Sequence, residues 1–333
     1  MAAGAGVSKG TASLALSGAD GPSAATRARV ADVAARLGYR ANRPATLLAR
    51  RRTHLLGVVM QVRSGYHAEL VDHVQAAAEV AGYEMVLSPV TRTHDEERAV
   101  TTLLDGRCEA LLLLGPELAV RRLEELAARR PVVAVGRRTS ARAVDVVRSA
   151  DDDGVALVVE HLAALGHREL ALVGGGSGAI ARDRRRGFER AGARTGTRGR
   201  LVAGGTTEEA GAAAVRSLLR TPGRADLPTA LLAQTDLVAL GVLDALADVG
   251  LAVPGDVSVT GYDDSPLARL RRVDLTSVDQ GAQAQAVAAV TAAVERLDGG
   301  RTTRAEVVLG PRLVVRGSSG PPRSAAAGRP RGD

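Results

Sequence analysis

The chain of 333 residues has no tryptophan, one phenylalanine and one cysteine, and aromatics make up only 2% of it. Its core must therefore be built from Leu, Val and Ala. The single thiol, Cys108, excludes an internal disulfide and a cysteine-ligated zinc site. It precedes the apolar run Ala110–Leu114 and reads as a small buried hydrophobe. No apolar run reaches the roughly 18 residues of a membrane-spanning helix, and the N-terminus lacks the apolar stretch of a secretory signal. A cytoplasmic protein with no membrane partner is expected. The histidines at 54, 67, 73, 94, 161 and 167 stand singly, without metal-ligand spacing, so no metal is expected. No phosphate-loop GK[ST] motif and no nucleophile–base constellation is visible. Neither a catalytic residue nor a cofactor is expected.

What is present is unevenly placed. Residues 1–52 carry nine Lys/Arg against two Asp, a net of +7 that equals the formal charge of the whole chain. A basic head on a slightly acidic body implies a polyanion partner for the head. The alternative is a merely solvated basic face. The length suits two or three units, and an apolar content of 45% is that of a globular protein.

Within the head, Val7–Gly18 reads VSKGTASLALSG. Ser8 is a good N-cap, Lys9–Leu16 make a short helix, and Gly18 can end it in a left-handed cap. A second helix follows, capped by Ser23, with Val30, Val33, Ala34 and Leu37 at i, i+3, i+4 and i+7, closed by Gly38. Two short helices joined by a Gly-containing loop suit a module that lays one helix in a DNA groove.

From Leu55 the pattern changes. LLGVVM, EMVLSP, ALLLLG, PVVAVG, ELALVG, RLVAG, ALLAQ and VSVTGY are short apolar runs separated by helical stretches. Strands alternating with helices read as α/β, parallel sheets covered on both faces. Eight such units split naturally into two sheets, with ligand loops beyond the carboxyl ends of the strands.

The head, GVSKGTASLALSG followed by SAATRARVADVAARLGYRANRPATLLA, resembles the DNA-binding head of the lactose-repressor (LacI/GalR) family. HLAALGHRELALVGG, RDRRRGFERA, PTALLAQTDLVALGVLDAL, VPGDVSVTGYDDSPLA, LTSVDQ and LVVRGSSGPP fall in that family's order and spacing, so the similarity runs from about Ala5 to Pro322. The resemblance implies a helix-turn-helix head over 1–41 and a hinge helix over 42–54. It implies an effector-binding and dimerisation domain over 55–320, of the periplasmic-binding-protein-like type I fold. That domain has two doubly wound lobes, one about 55–150 plus 281–309, the other about 151–280 plus 310–320. The tail 321–333, rich in Gly, Pro, Ala and Arg, is expected to be disordered.

The resemblance also implies roles. Ser8, Lys9, Gly10, Thr11, Ser13 and Leu14 would meet DNA from the recognition helix. Lys9 would donate to guanine, Thr11 and Ser13 would cap or touch phosphate, and Leu14 stands where most members carry Arg. Tyr39, Asn42, Arg43, Ala45 and Leu48 would follow, Asn42 capping the hinge and Leu48 wedging into the minor groove. Only Met1–Ala5 precede Gly6, too few for the family's first helix, so a start inside a longer reading frame is expected. In the cleft, Arg63, Tyr66, Arg137, Arg184, Phe188, Thr235, Asp236, Tyr262, Asp263 and Gln280 would contact the effector. A bidentate Arg and carboxylate acceptors suit neighbouring hydroxyls of a sugar. The alternative for each charged residue is a salt bridge between the lobes. Thr235 replaces the usual Asn, and Arg63–His67 lacks the familiar Asp and Asn-Pro-Phe, so another small polar metabolite is equally open.

The implied protein is a ligand-responsive transcription regulator, a repressor in the leading reading. As a homodimer it would bind a pseudo-palindromic double-stranded operator. Two rivals stand beside it. Gly174–Ala179 fits G-x-G-x-x-A after a strand, the fingerprint of a nicotinamide enzyme. However, the next strand, Leu201–Gly204, ends without the required acid. The other rival is a cleft-fold binding protein that never touches DNA, like secreted transport receptors.

Overall fold

The computed structural model describes residues 1–17, 20–37, 52–176, 178–220 and 228–323. It divides into two compact units, Met1–Thr53 and His54–Asp333.

In the first unit a short 3-10 turn, Ala3–Ala5, ends at Gly6, whose φ of 62° is left-handed. Helix α1 (Lys9–Ser17) begins where Ser8 Oγ accepts from the Thr11 N–H at 3.1 Å, the cap its sequence predicts. Helix α2 (Ala24–Arg36) begins at Ser23, whose Oγ accepts from the Thr26 N–H at 3.2 Å. Ala5, Ala12, Val30 and Val33 close a small core. Leu37 departs from the expected stripe: the helix ends at Arg36, and Leu37 is 62% exposed. The expected caps Gly18 and Gly38, and the hinge residues Tyr39, Asn42, Arg43, Ala45 and Leu48, lie outside the described residues.

The second unit opens with β1 (Leu55–Gln61), α3 (Gly65–Val80), β2 (Glu84–Val90), α4 (Glu96–Asp105) and β3 (Ala110–Leu114). Then come α5 (Val120–Ala127), β4 (Val132–Val135), β5 (Asp145–Ser149) and α6 (Asp151–Ala164). Next are β6 (Glu169–Gly174), α7 (Ala179–Thr195), β7 (Arg198–Ala203), α8 (Glu208–Arg220) and β8 (Ala230–Ala233). The chain closes with α9 (Asp236–Asp248), β9 (Ser258–Thr260), β10 (Ser277–Asp279), α10 (Ala282–Leu297), β11 (Glu306–Leu309) and β12 (Arg312–Val314).

Six strands form one parallel sheet in the order β11-β5-β4-β3-β1-β2, and four form another in the order β7-β6-β8-β9. β10 and β12 make a separate antiparallel pair. The apolar runs are continuous because both faces are covered. In β3, Ala110, Leu112 and Leu114 enter the core under α3 and α10, while Leu111 and Leu113 enter the core under α4 and α5. In β6, Ala171 and Val173 face α8 and α9, while Leu170 and Leu172 face α6 and α7.

Each of the eight expected runs contains a strand. Four more, β5, β10, β11 and β12, lie outside those runs: β5 and β10 carry polar residues, and β11 and β12 are only four and three residues long. Two of these let the chain return: α10 and β11 rejoin the first sheet after β10, and β12 then pairs with β10 beside the second. The start of the supposed tail is anchored, because Arg323 pairs with Asp256 at 2.6 Å. Residues 324–333 lie outside the described residues. Among the described residues no helix is long and apolar enough to cross a membrane.

Candidate functional site

The loops beyond the carboxyl ends of the strands of both sheets face one another across two adjoining cavities of about 580 and about 920 Å3. Ser64, Tyr66, His67, Gly115 and Glu117 reach both from the six-stranded half, and Ile180, Thr206, Thr235 and Asp263 reach both from the four-stranded half. The placement follows from parallel topology, which puts every loop after a strand at the same end of its sheet.

Arg184, on α7, is 5% exposed. Its Nε donates to Asp151 Oδ1 at 2.8 Å, its Nη1 donates to the Gln234 carbonyl, and its guanidinium lies 3.6 Å from the Tyr262 ring centre. Burial alone would lower its pKa; the neighbouring Asp151, Tyr262 and Asp263 reverse that and raise it. Asp263 adopts φ 115°, an uncommon conformation for a residue with a side chain. Its Oδ1 accepts from Gln280 Nε2 at 2.7 Å. Burial pushes the Asp263 carboxyl well above the usual carboxylate range, against the pull of Arg184. Tyr66 is buried and its hydroxyl accepts from Gln285 Nε2 at 2.6 Å. Arg137 donates to the Pro116 carbonyl, and burial lowers its pKa against the opposing charges of Glu96 and Glu117.

Seven of the ten expected effector residues line the cavities: Arg63, Tyr66, Arg137, Arg184, Thr235, Asp263 and Gln280. Arg63 is also engaged with Glu208 at 3.0 Å, the expected alternative of a bridge between the lobes. Thr235 spends its hydroxyl partly on capping α9, accepting from the Val238 N–H at 3.2 Å.

Three of the ten are corrected. Asp236 is 1% exposed, and its two oxygens accept from Ser277 Oγ at 2.6 Å and the Ser265 N–H at 2.7 Å. Its carboxylate is consumed inside the protein rather than turned to the cavity. Tyr262 is buried beneath Arg184, and Phe188 is packed among Val159, Leu170 and Leu232. Both are held in the apolar layer behind the wall.

Reading the sequence placed the loop Arg63–His67 at the cleft without giving His67 a role, and missed Glu117, Ile180, Arg182 and Gln234 as cavity residues. Position after a strand end was the available signal for His67, Glu117 and Gln234. The first glycine of the supposed dinucleotide fingerprint makes room for Gln234: a Cβ at Gly174 would stand 2.4 Å from its Oε1, which accepts from the Gly175 N–H at 3.0 Å. The motif makes room for a side chain of the protein itself.

On the head, Ser8, Lys9, Gly10, Ser13 and Leu14 are exposed along α1, Thr11 is half-buried, and Ala12 turns inward. Ser8 Oγ and Thr11 Oγ1 are 2.9 Å apart, so both are tied to the cap. Lys9, Gly10, Ser13 and Leu14 therefore share a face that can enter a groove.

Residues 1–42 match the family described as bacterial regulatory proteins, lacI family, and residues 159–319 match a periplasmic binding protein-like domain. A LacI transcriptional regulator from a Rhodococcus species is 41% identical; the match covers 81% of this chain and all of that one, with a TM-score of 0.78. The complex of the transcriptional regulator CelR with cellobiose is 29% identical, covering 96% of this chain and 98% of that one, with a TM-score of 0.71. The lac repressor dimer bound to operator and the anti-inducer ONPF is 27% identical, covering 96% and 97%, with a TM-score of 0.80.

A helix-turn-helix head joined to a two-sheet, cleft-bearing body defines the class: a DNA-binding transcriptional regulator and not an enzyme. The chain belongs to the lacI family of bacterial regulatory proteins.

Proposed function

We propose that the protein is a ligand-responsive repressor that binds a pseudo-palindromic operator as a homodimer and takes a sugar or another small polar metabolite into its cleft. The observation that carries this reading is the convergence of Arg184, Asp263, Gln280 and Thr235 on one cavity between the two sheets. Buried, directional polar groups in a largely preformed cavity are what recognition of a small hydroxylated ligand needs. The relative solved with cellobiose and the relative solved as a dimer on operator support the two halves of the reading. The proposed division is a head over 1–41, a hinge over 42–54 and a ligand-binding, dimer-forming body over 55–320. Ligand in the cleft shifts the two lobes and so the spacing of the hinges. Because coupling is reciprocal, a ligand that releases the operator binds the operator complex less well.

A thermal-shift screen of sugars and nucleosides identifies the ligand, and a mobility-shift assay on a pseudo-palindromic duplex, with and without it, tests the response. Asp263→Ala is expected to abolish the ligand response while sparing operator binding. Lys9→Ala is expected to weaken operator binding while leaving ligand affinity unchanged, and Leu48→Ala to do the same through the hinge. A cleft ligand found without any duplex shift would replace the repressor reading with that of a small-molecule binder.

A further inference from the structure

His67 faces both cavities and is held in a defined state by the backbone. Its Nδ1 accepts from the Gln61 N–H at 3.1 Å, and the His67 backbone N–H donates to Ser64 Oγ at 3.2 Å. An imidazole whose Nδ1 accepts a backbone amide must carry its proton on Nε2. That nitrogen has no hydrogen-bond partner among the described residues. It lies over the α-carbon of Gly115, where a Cβ would stand 3.3 Å away. Gly115 has φ 58° and lines the same cavities, so its glycine keeps the imidazole edge uncovered. Burial lowers the His67 pKa to about 4, which leaves the ring neutral near pH 7.

The geometry points to His67 as a specificity-determining contact: its Nε2–H donates to an uncharged oxygen of the cleft ligand, a hydroxyl, ether or carbonyl. This rests on the reading of the cleft as an effector site, and it adds the polarity of one subsite. A neutral, donor-only nitrogen on the six-stranded half stands in the same cavity as the acceptor-bearing Asp263 on the four-stranded half. One hydroxylated ligand can accept from the first and donate to the second. That double engagement ties the two halves together. A cationic ligand group presented to His67 Nε2–H would meet a donor that cannot accept its protons.

Two near-isosteric variants separate this role from a structural one. His67→Gln places an amide N–H where Nε2 was and gives up the Nδ1 acceptor. His67→Asn keeps an oxygen near Nδ1 for the Gln61 amide and gives up the donor. Full-length protein is titrated with cellobiose and with D-glucose as probes, and the His67 ring nitrogens are followed by long-range 1H–15N spectra. The expected result is an Nε2–H tautomer before ligand and a saturable shift of that resonance with a binding probe. Affinity should fall about tenfold in His67→Asn and only slightly in His67→Gln, the size of one lost hydrogen bond. An Nδ1–H tautomer, the reverse order of the two variants, or binding that leaves the resonance unmoved overturns the inference and leaves the effector reading standing. If neither sugar binds the wild-type protein, the sugar reading falls and this assignment falls with it.

Discussion

Two aspartates of the same stretch show how a residue's surroundings assign its work. Asp236 and Asp263 both follow apolar runs, and the sequence makes both of them candidates. In the fold Asp236 accepts from Ser277 Oγ and the Ser265 N–H, so its removal leaves two buried donors unpaired. Asp236→Ala is expected to destabilise the protein by about 2–6 kcal/mol in urea unfolding, since each buried unsatisfied group costs roughly 1–3 kcal/mol. Burial also raises the Asp236 carboxyl from an ordinary 3.8 to about 6. A raised folded pKa means that its contribution is present below pH 4 and lost as pH rises through 6. Between those values the stability of Asp236→Ala should change less with pH than that of the wild type.

Asp145, in strand β5, shows the same logic for a whole element. It is fully buried, yet Arg296 Nε reaches it at 2.7 Å, Arg301 Nη2 at 2.8 Å and the Ala305 N–H at 2.8 Å. These contacts fasten the end of α10 and the approach to the edge strand β11 onto β5, its neighbour in the six-stranded sheet. Burial alone would raise the carboxyl, but the two guanidinium groups and the amide win and hold it below its ordinary range. That stability is present above the ordinary carboxylate pKa and is lost as pH falls below it. Asp145→Ala takes the carboxylate from Arg296 and leaves Arg301 with Glu295 alone, and is expected to cost about 3–5 kcal/mol in urea unfolding, the range for breaking a buried ion pair. On the second sheet, α8 and α9 approach so closely that a Cβ at Gly241 would stand 1.8 Å from the Glu208 carbonyl. Gly241→Ala should therefore force the helices apart and lower stability by about 1–3 kcal/mol, measured by the same unfolding curve.

At the scale of the whole ligand-binding unit, charged pairs join the two sheets around the cleft. Arg63 reaches Glu208 at 3.0 Å, Arg269 reaches Glu69 at 3.1 Å and Arg138 reaches Asp183 at 3.0 Å. Each has a partly exposed partner, so salt weakens it. The double variant Arg138→Ala/Arg269→Ala is expected to show a larger radius of gyration in solution scattering without ligand. High salt should move the wild type in the same direction, and a bound ligand should restore the smaller value in both.

The order of elements was legible in the residues themselves. Ser8 and Ser23 announced their helices, the run Ala110–Leu114 announced a strand covered on both faces, and the excess of Lys and Arg announced a head for a polyanion. These signals are local, a few residues of spacing or charge, and need no knowledge of the rest of the chain. Strand β5 was not legible, because the partners that allow Asp145 into a core stand at 296 and 301. The sequence alone also could not separate Asp263, in the cavity wall, from Asp236, bonded to Ser277, or show that His67 turns an uncovered donor inward. A polar side chain faces a ligand only if the fold leaves it unspent, and its possible partners lie tens to hundreds of residues away. Local pattern therefore fixed the elements and the family, while tertiary hydrogen bonding decided which side chains are left to meet a ligand.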